Sequence, residues 1–355
     1  MQLDVRPHRI AQQKSEFSSL TSPIDRARRD GARAAQRLYW GSVDSGTRRV
    51  DVFRLIESAA IWLMFQPLGN LYGAYQREDG TQGIIINSKH PLILQRFTAA
   101  HELGHHELGH EESVDSELEI EDFSSTSIGP QEAAAQSFAA DLLMPLELVN
   151  AGLRRLGLSI SATTLTGDQV YQLALELGVS YRAMIFRLVG LRRLSVETGR
   201  ILRRERPIDI KTERSQRRLE HHRNQVWLLD EAGRDQAIEP WVGDEIHVVL
   251  PEIPSSGYVW LLDNGARAPK SPNLTLEDEA FEAQSQSPGA SGNHRFIFKV
   301  QRPGEYRIRL RKDRPWRADP APTATFEARV AAEPFPTGDD RIGLLDRQKE
   351  LLLVG

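Results

Sequence analysis

Residues His101 to His110 read HELGHHELGH, and the reading of this stretch decides how the surrounding chain folds. Histidines four positions apart lie one turn apart on one face of a helix, so both imidazoles reach a single ion. A glutamate beside the first can then take a proton from metal-bound water. The pattern occurs twice in tandem. A shift of five residues turns a helix by about 140°, so the pairs His101/His105 and His106/His110 face apart and cannot share an ion. The first copy follows the apolar turn Phe97-Thr98-Ala99-Ala100 and so sits deeper, whereas the second runs into Glu111-Glu112. We therefore expect one Zn2+ per chain on His101 and His105, with Glu102 as general base and Gly104 leaving room beside the ion. His106 and His110 should be dispensable for zinc.

A third ligand must come from elsewhere. Pro130 opens a helix, Gln131 to Met144, that Pro145 closes. Its apolar stripe is Ala135, Phe138, Ala139 and Leu142, and Glu132 lies one turn ahead of Ala135 on the same face. A carboxylate aimed at a core needs a partner. Glu132 would also suit a first helical turn through the helix dipole. With two histidines awaiting a third ligand, metal binding is the better account, and Asp141 is the alternative.

The 355 residues are enough for two cores, and 40% apolar with 26% charged residues is the composition of a soluble globular protein. A net charge of -4 gives no global reason to expect a polyanion partner. The absence of cysteine excludes disulfides, thiolate nucleophiles and thiolate ligands, leaving His, Asp, Glu or water for any metal. The N-terminus has no apolar core after a basic end, and Ala59 to Phe65 is too short to span a bilayer. We expect a cytoplasmic protein with no membrane association.

Taken in order, residues 1–22 read as an arm, followed by a helix entered through Ser22-Pro23 and a second apolar helix, Val52 to Phe65. Asn70 to Gln76 and Gly83 to Asn87, around Asp79-Gly80, read as a hairpin. It offers an edge just before the motif helix, Arg96 to His110, where an extended substrate can pair. The acidic stretch Glu111 to Ser127 reads as a loop, Asp168 to Leu188 as helical, and the basic stretch from Arg192 to Arg223 as a charged linker. Beyond Arg223 the period becomes two, with strands at Glu245–Leu250, Tyr258–Leu262, Arg295–Val300, Tyr306–Leu310 and Phe326–Val330. These predict an all-β sandwich of about a hundred residues. The short amphipathic segment Ile342 to Val354 closes the chain.

RFTAAHELGHHELGH, with IIIN before it and EAAAQSFAADLLMP and LALELGVSYRAMIFRLVGL after it, resembles the ImmA/IrrE-type zinc metallopeptidases over about residues 24–205. In that family the two motif histidines and the glutamate opening the segment that ends in FAxxLLMP bind zinc, and the motif glutamate is the base. The resemblance thus implies the same roles for His101, His105, Glu132 and Glu102. Gln136 stands where the family often has asparagine. The implied substrate is a repressor-like regulatory protein, a transcriptional regulator, in a stress, phage or mobile-element response. Gly178-Val179-Ser180 would also serve as the turn of a DNA-binding helix-turn-helix. The same phrase is a structural element of the peptidase family, and Met184, Ile185 and Leu188 read as core, so direct nucleic-acid binding is disfavoured.

Three loops of the sandwich stand out: Ile253-Pro254-Ser255-Ser256-Gly257-Tyr258 with Trp260 after it, Gly289-Ala290-Ser291-Gly292, and Arg314-Pro315-Trp316. In this order, over about residues 225–331, they resemble the binding loops of chagasin-type inhibitors, immunoglobulin-like sandwiches that enter the cleft of papain-like cysteine peptidases. The chain departs from that pattern at Ile253, Ser255, Ser256, Ser291 and Arg317. Inhibitor action and recognition of the peptidase's own target therefore both stay open for this module.

The expected organisation is an α+β, mostly helical, zincin-like domain with a small sheet over residues 23–205. A basic linker over 206–223, an immunoglobulin-like all-β sandwich over 224–331 and a tail over 332–355 complete it. The expected activity is zinc-dependent endopeptidase. The alternative is a cysteine peptidase inhibitor or binding protein whose zinc domain is a sensor.

Overall fold

The structure is a computed structural model and describes residues 22–42, 44, 46–78, 81–110, 113–116, 128–159, 164–217, 219, 224–263, 274–285, 287–317 and 322–333. The N-terminal arm, the turn Asp79-Gly80 and the segment Ile342 to Val354 lie outside the described residues. Two compact units emerge. The first carries the described chain up to Pro145 apart from residues 91–93; the second carries those three and everything described from Leu146 onward.

In the first unit, helix α1 (Pro23–Ser42) starts where Ser22 Oγ accepts the Asp25 N–H at 3.1 Å. Helix α2 (Val52–Ser58) is capped by Asp51, whose Oδ1 accepts the Arg54 N–H at 3.2 Å. The expected continuation to Phe65 does not form. Ala60 turns to φ 57, and beyond it Ile61 and Leu63 are buried while Trp62 and Met64 are half-buried. That is the period of a strand, β1 (Trp62–Gln66).

Strands β2 (Leu71–Glu78) and β3 (Thr81–Asn87) form the expected hairpin, in a sheet of order β1-β3-β2-β4. β3 runs parallel to β1 and antiparallel to β2, so it is paired on both sides and offers no free edge. The sheet's outer strands are β1 and β4 (Ser113–Ser116). The acidic stretch was expected to be loop throughout, yet β4 pairs with β2 in the register Ala74↔Val114, a backbone pairing that needs no apolar alternation. The motif helix α3 (Leu92–Glu107) is followed by β4 and then α4 (Pro130–Leu143), whose Ala135, Phe138, Ala139 and Leu142 are all fully buried.

In the second unit come α5 (Leu146–Arg155), α6 (Gly167–Leu177) and α7 (Tyr181–Gly190). The single helical region expected over Asp168–Leu188 is split. Gly178 takes φ 64 and ends α6, and Ser180 Oγ accepts the Ala183 N–H to start α7. Helix α8 (Val196–Leu202) then packs on α7 so closely that a Cβ on Gly199 would lie 2.6 Å from Val189 Cγ2. Arg203 sits 4.9 Å from the centre of the Phe186 ring.

The basic stretch expected to be a linker holds α8 and a further helix, α9 (Pro207–Ser215). Buried Arg214 donates from Nη1 to Gln172 Oε1 at 2.8 Å and to the Val226 carbonyl at 2.9 Å, and pairs with Asp168 through Nε. Composition alone reads such arginines as solvated; with each of its three side-chain nitrogens hydrogen-bonded, this one is buried.

Beyond α9 the strands are β5 (Val226–Leu229), β6 (Ala237–Ile238), β7 (Glu245–Glu252), β8 (Val259–Leu262), β9 (Leu274–Ala283), β10 (Gly292–Val300), β11 (Gly304–Asp313) and β12 (Ala324–Ala332). They form two four-stranded sheets, β5-β7-β10-β9 and β6-β12-β11-β8. Alternate residues bury inward: Ile246, Val248, Leu250, Phe296 and Phe298 from one sheet, Ile308, Leu310, Phe326, Ala328 and Val330 from the other. Trp260 ties the two together, its N–H meeting Glu252 Oε2 at 2.7 Å and its indole N–H the Pro251 carbonyl at 3.1 Å. Every sandwich strand expected from the sequence is present; β5, β6 and β9 are additional. Among the described residues no helix is long and apolar enough to cross a membrane.

Candidate metal centre and sandwich loops

The motif helix is held on two sides by glycines. On its inner side a Cβ at Gly104 would lie 3.0 Å from Phe138 Cδ1 and 3.2 Å from Ala135 Cα, so α3 and α4 approach almost backbone to backbone. Gly104 was expected to make room for an ion; instead it makes room for α4. That approach brings Glu132, in the first turn of α4, to the histidines. On the sheet side Gly73 of β2 plays the matching part. A Cβ there would meet Thr98 Cγ2 at 2.5 Å and Glu102 Oε1 at 3.1 Å.

His101 and His105 are buried and Glu102 is fully so. His101 Nε2 lies 3.1 Å from Glu132 Oε2 and 3.1 Å from His105 Nε2, and His105 Nε2 lies 3.5 Å from Glu132 Oε1. Ligand atoms at the usual zinc distances in a tetrahedron are about 3.3 Å apart. The spacing and the two-imidazole, one-carboxylate donor set therefore fit a zinc ion. Among the described residues, His101, His105 and Glu132 form the one group of His, Cys, Asp or Glu side chains converged for a metal, and Asp141 is not in it. Burial pushes the Glu132 carboxyl up, but hydrogen bonds to His101 and His105 and their charges outweigh it and hold the acid well below its usual range.

Among the described residues, His106 and His110 belong to no group of side chains converged for a metal. The helix ends at Glu107, because Gly109 takes φ 67, so His110 leaves the helical path. His106 Nδ1 meets Tyr75 Oη at 3.3 Å, whereas His110 Nδ1 lies 3.1 Å from His105 Nδ1. Burial lowers the pKa of both, His105 adding to the effect at His110. Sequence reasoning missed the contact between His110 and His105. The available signal was a glycine just past the last helical turn, which marks a left-handed C-terminal cap.

In the sandwich the three loops meet at one end. Pro254–Ser256 makes a single tight turn ended by Gly257 at φ 78, where a Cβ would lie 2.9 Å from Trp316 Cζ2. Gly289, at φ 73, abuts Ser255: a Cβ there would lie 3.0 Å from the serine Cβ. The Arg314 guanidinium stacks 4.1 Å from the centre of the Tyr258 ring. Ser255, Ser256, Pro315 and Trp316 are exposed, Trp316 by 71%. Trp260 belongs to the core, and Gly292 is buried at the start of β10, where a Cβ would strike the Glu282 carbonyl oxygen at 2.2 Å. Gly292 therefore serves strand packing.

Residues 56–189 match the IrrE N-terminal-like domain, and residues 241–330 match the chagasin family of peptidase inhibitors. The radiation response metalloprotease IrrE of Deinococcus deserti is 32% identical over 158 residues, 44% of this chain and 53% of the relative. The chain thus spans about half the length of that relative. Chagasin of Trypanosoma cruzi is 30% identical over 76 residues, 21% of this chain and 69% of chagasin. Among solved structures, the cysteine protease inhibitor EhICP2 of Entamoeba histolytica is 20% identical, with 30% of this chain and 96% of that one covered and a TM-score of 0.27. PbICP-C, in complex with falcipain-2, is 19% identical, with 31% and 91% covered and a TM-score of 0.19. The chain belongs to the chagasin family through its C-terminal domain, and its N-terminal part is similar to the IrrE N-terminal-like domain and to a metalloprotease that carries it.

Proposed function

We propose that this protein is a zinc-dependent endopeptidase that cleaves a regulatory, repressor-like protein, with His101, His105 and Glu132 as zinc ligands and Glu102 as general base. The observation that carries this reading is the convergence of ligand atoms from His101 and His105 of α3 and Glu132 of α4 to within 4.8 Å of one another, beside Glu102 buried on α3. Zinc, when bound there, supplies a lowered water pKa and polarisation of the scissile carbonyl. Glu102 receives the proton of the attacking water and passes it to the leaving amine. Glu132, anchored by α4, keeps both imidazoles oriented. Gly73 keeps β2 against Glu102 and so limits the carboxylate's freedom. An extended substrate adds at an outer strand of the sheet, β1 or β4. The substrate class follows from the family resemblance, as does the setting of a stress, phage or mobile-element response in the cytoplasm.

The test is Glu102→Gln in the full chain. It should keep about one zinc per chain and abolish cleavage of a co-expressed candidate regulator. Loss of zinc or unchanged cleavage would refute the role of Glu102.

A second reading concerns the sandwich and is favoured by the convergence of its loops around exposed Trp316. In it, Pro254, Ser255, Ser256, Gly257, Tyr258, Gly289, Arg314, Pro315 and Trp316 form a surface that enters the cleft of a papain-like cysteine peptidase. Gly lets backbone approach closely and Trp is a rigid apolar anchor. Inhibition of papain by the full chain, lost in Trp316→Ala, would support it. Failure across several such enzymes would leave the loops as a recognition surface for the peptidase's own target.

A further inference from the structure

We propose that His110 is a positioning residue that holds His105 in its metal-ligating tautomer, and that the turn ending the motif helix serves to place it there. The inference rests on the zinc reading above. It starts from the backbone. The Gly109 N–H donates to the His106 carbonyl at 3.0 Å and the His110 N–H to the His105 carbonyl at 2.9 Å, with Gly109 left-handed at φ 67. This is the Schellman ending of a helix, in which the residue after the left-handed one folds back over the residue five positions earlier. Ordinarily two apolar side chains meet at that contact. Here the pair is His110 and His105, with ring centres 5.1 Å apart and Nδ1 atoms separated by 3.1 Å.

The chemistry of imidazole gives that contact its direction. His105 presents Nε2 to His101 and Glu132, so with Nε2 as ligand its Nδ1 carries the proton and must donate it. His110 Nδ1 is placed to accept. A ligand histidine whose second nitrogen is bonded is fixed in ring orientation and is the more basic donor. His106 makes no such contact; its Nδ1 meets Tyr75. The doubled motif thus contains one zinc pair and, in its last residue, the acceptor that orients one member of the pair. The expectation that His110 is dispensable for zinc is replaced by a graded effect.

The experiment measures zinc affinity by chelator competition on the full chain, with unfolding of the metal-free protein followed in parallel. His110→Ala should weaken zinc by about 10- to 100-fold, with metal-free unfolding little changed. His110→Asn, whose Oδ1 occupies the place of Nδ1 and accepts a hydrogen bond, should recover most of the loss, and His106→Ala should bind zinc as the wild type does. Equal affinity in His110→Ala, or an equal loss in His110→Asn, would overturn the proposal. So would a loss matched by destabilisation of the metal-free protein, since the residue would then act only as a cap. A wild-type chain that binds no zinc, or a His101→Ala variant that binds it unchanged, would instead overturn the zinc reading itself.

Discussion

Replacing Gly104 by alanine sets two effects of known size against each other. Alanine is favoured over glycine inside a helix by about 1 kcal/mol, and burying one more methyl adds about 0.8 kcal/mol. Against this, the new Cβ would lie 3.0 Å from Phe138 Cδ1, 3.2 Å from Phe138 Cβ and 3.2 Å from Ala135 Cα. Carbon atoms prefer about 3.5–4.0 Å. The shortfall is roughly half an ångström against a wall that cannot yield locally, because Phe138 is fully buried and Ala135 contributes backbone. Overpacking of this kind costs about 1–3 kcal/mol, and the rigid wall puts it near the upper end. The net is a destabilisation of about 1 kcal/mol, or roughly 4 °C in the unfolding midpoint of the first unit. The larger effect falls on the metal. A shift of α4 by a few tenths of an ångström moves Glu132 relative to His101, and zinc sites tolerate about 0.2 Å. Calorimetry of the metal-free chain and zinc competition together decide the matter. A Gly104→Ala variant that gains stability and binds zinc unchanged would refute the idea that the close helix contact sets the site.

Further outcomes follow from the same geometry. Gly73→Ala should reduce cleavage more than zinc affinity, since the atoms nearest its Cβ would be Thr98 Cγ2, the Ile85 carbonyl oxygen and Glu102 Oε1; steady-state rates beside zinc titration would show it. Burial pushes the Lys211 ammonium down to about 8, with the Asp244 charge partly restoring it. The folded pKa is depressed, so the stabilising contribution is present above the unfolded value near 10.5 and is lost as pH falls through about 8. Denaturant unfolding from pH 7.5 to 10.5 should therefore show the wild type gaining on Lys211→Met. Trp316→Ala should change stability by less than about 0.5 kcal/mol, as exposed positions do, while removing any binding to papain-like enzymes.

Much of this architecture was legible because it rests on short-range period. The stripe Ala135, Phe138, Ala139 and Leu142 identified the face of α4 that packs inward, and Glu132 one turn earlier followed from it. The alternating strands of the sandwich were readable for the same reason. Where the reading failed, long-range packing had decided. The run Val52 to Phe65 is apolar throughout, and only the left-handed turn at Ala60 shows that its second half is a strand. β4 is a strand because β2 pairs with it. Gly104 looked like space for an ion because the sequence shows which residues neighbour it along the helix, whereas its function is set by Phe138 across the interface. The deeper burial of the first HELGH copy was readable in the sequence, and the contact that His110 of the second makes with His105 was not. The rotation argument assumed a helix through His110, while the chain leaves the helix at Gly109 and returns His110 to His105.

The basic stretch after Arg192 carries a consequence for the sandwich. On the sheet β5-β7-β10-β9, Glu245, His247 and Arg295 point away from the apolar core, yet all three are buried. Glu245 pairs with His247 and Arg295 with Glu282 inside the sandwich, and α9 with the residues after it adds further partners. Arg295 Nη1 donates to the Arg214 carbonyl at 3.2 Å, and Arg217 bridges Glu245 at 3.0 Å and Glu277 at 2.9 Å. At the same junction Tyr171 donates to Gln225 Oε1 at 2.8 Å, and Asp244 accepts from the Gln225 N–H at 2.8 Å and the Trp227 indole at 3.1 Å. A hydrogen bond lost from a charged group costs about 1.5–3 kcal/mol. A fragment cut at Arg223 would leave Glu245 and Arg295 without these contacts and uncover the outer face of the sheet. The helix therefore acts as a third layer of the sandwich, and a fragment meant to test the loops should begin before Pro207.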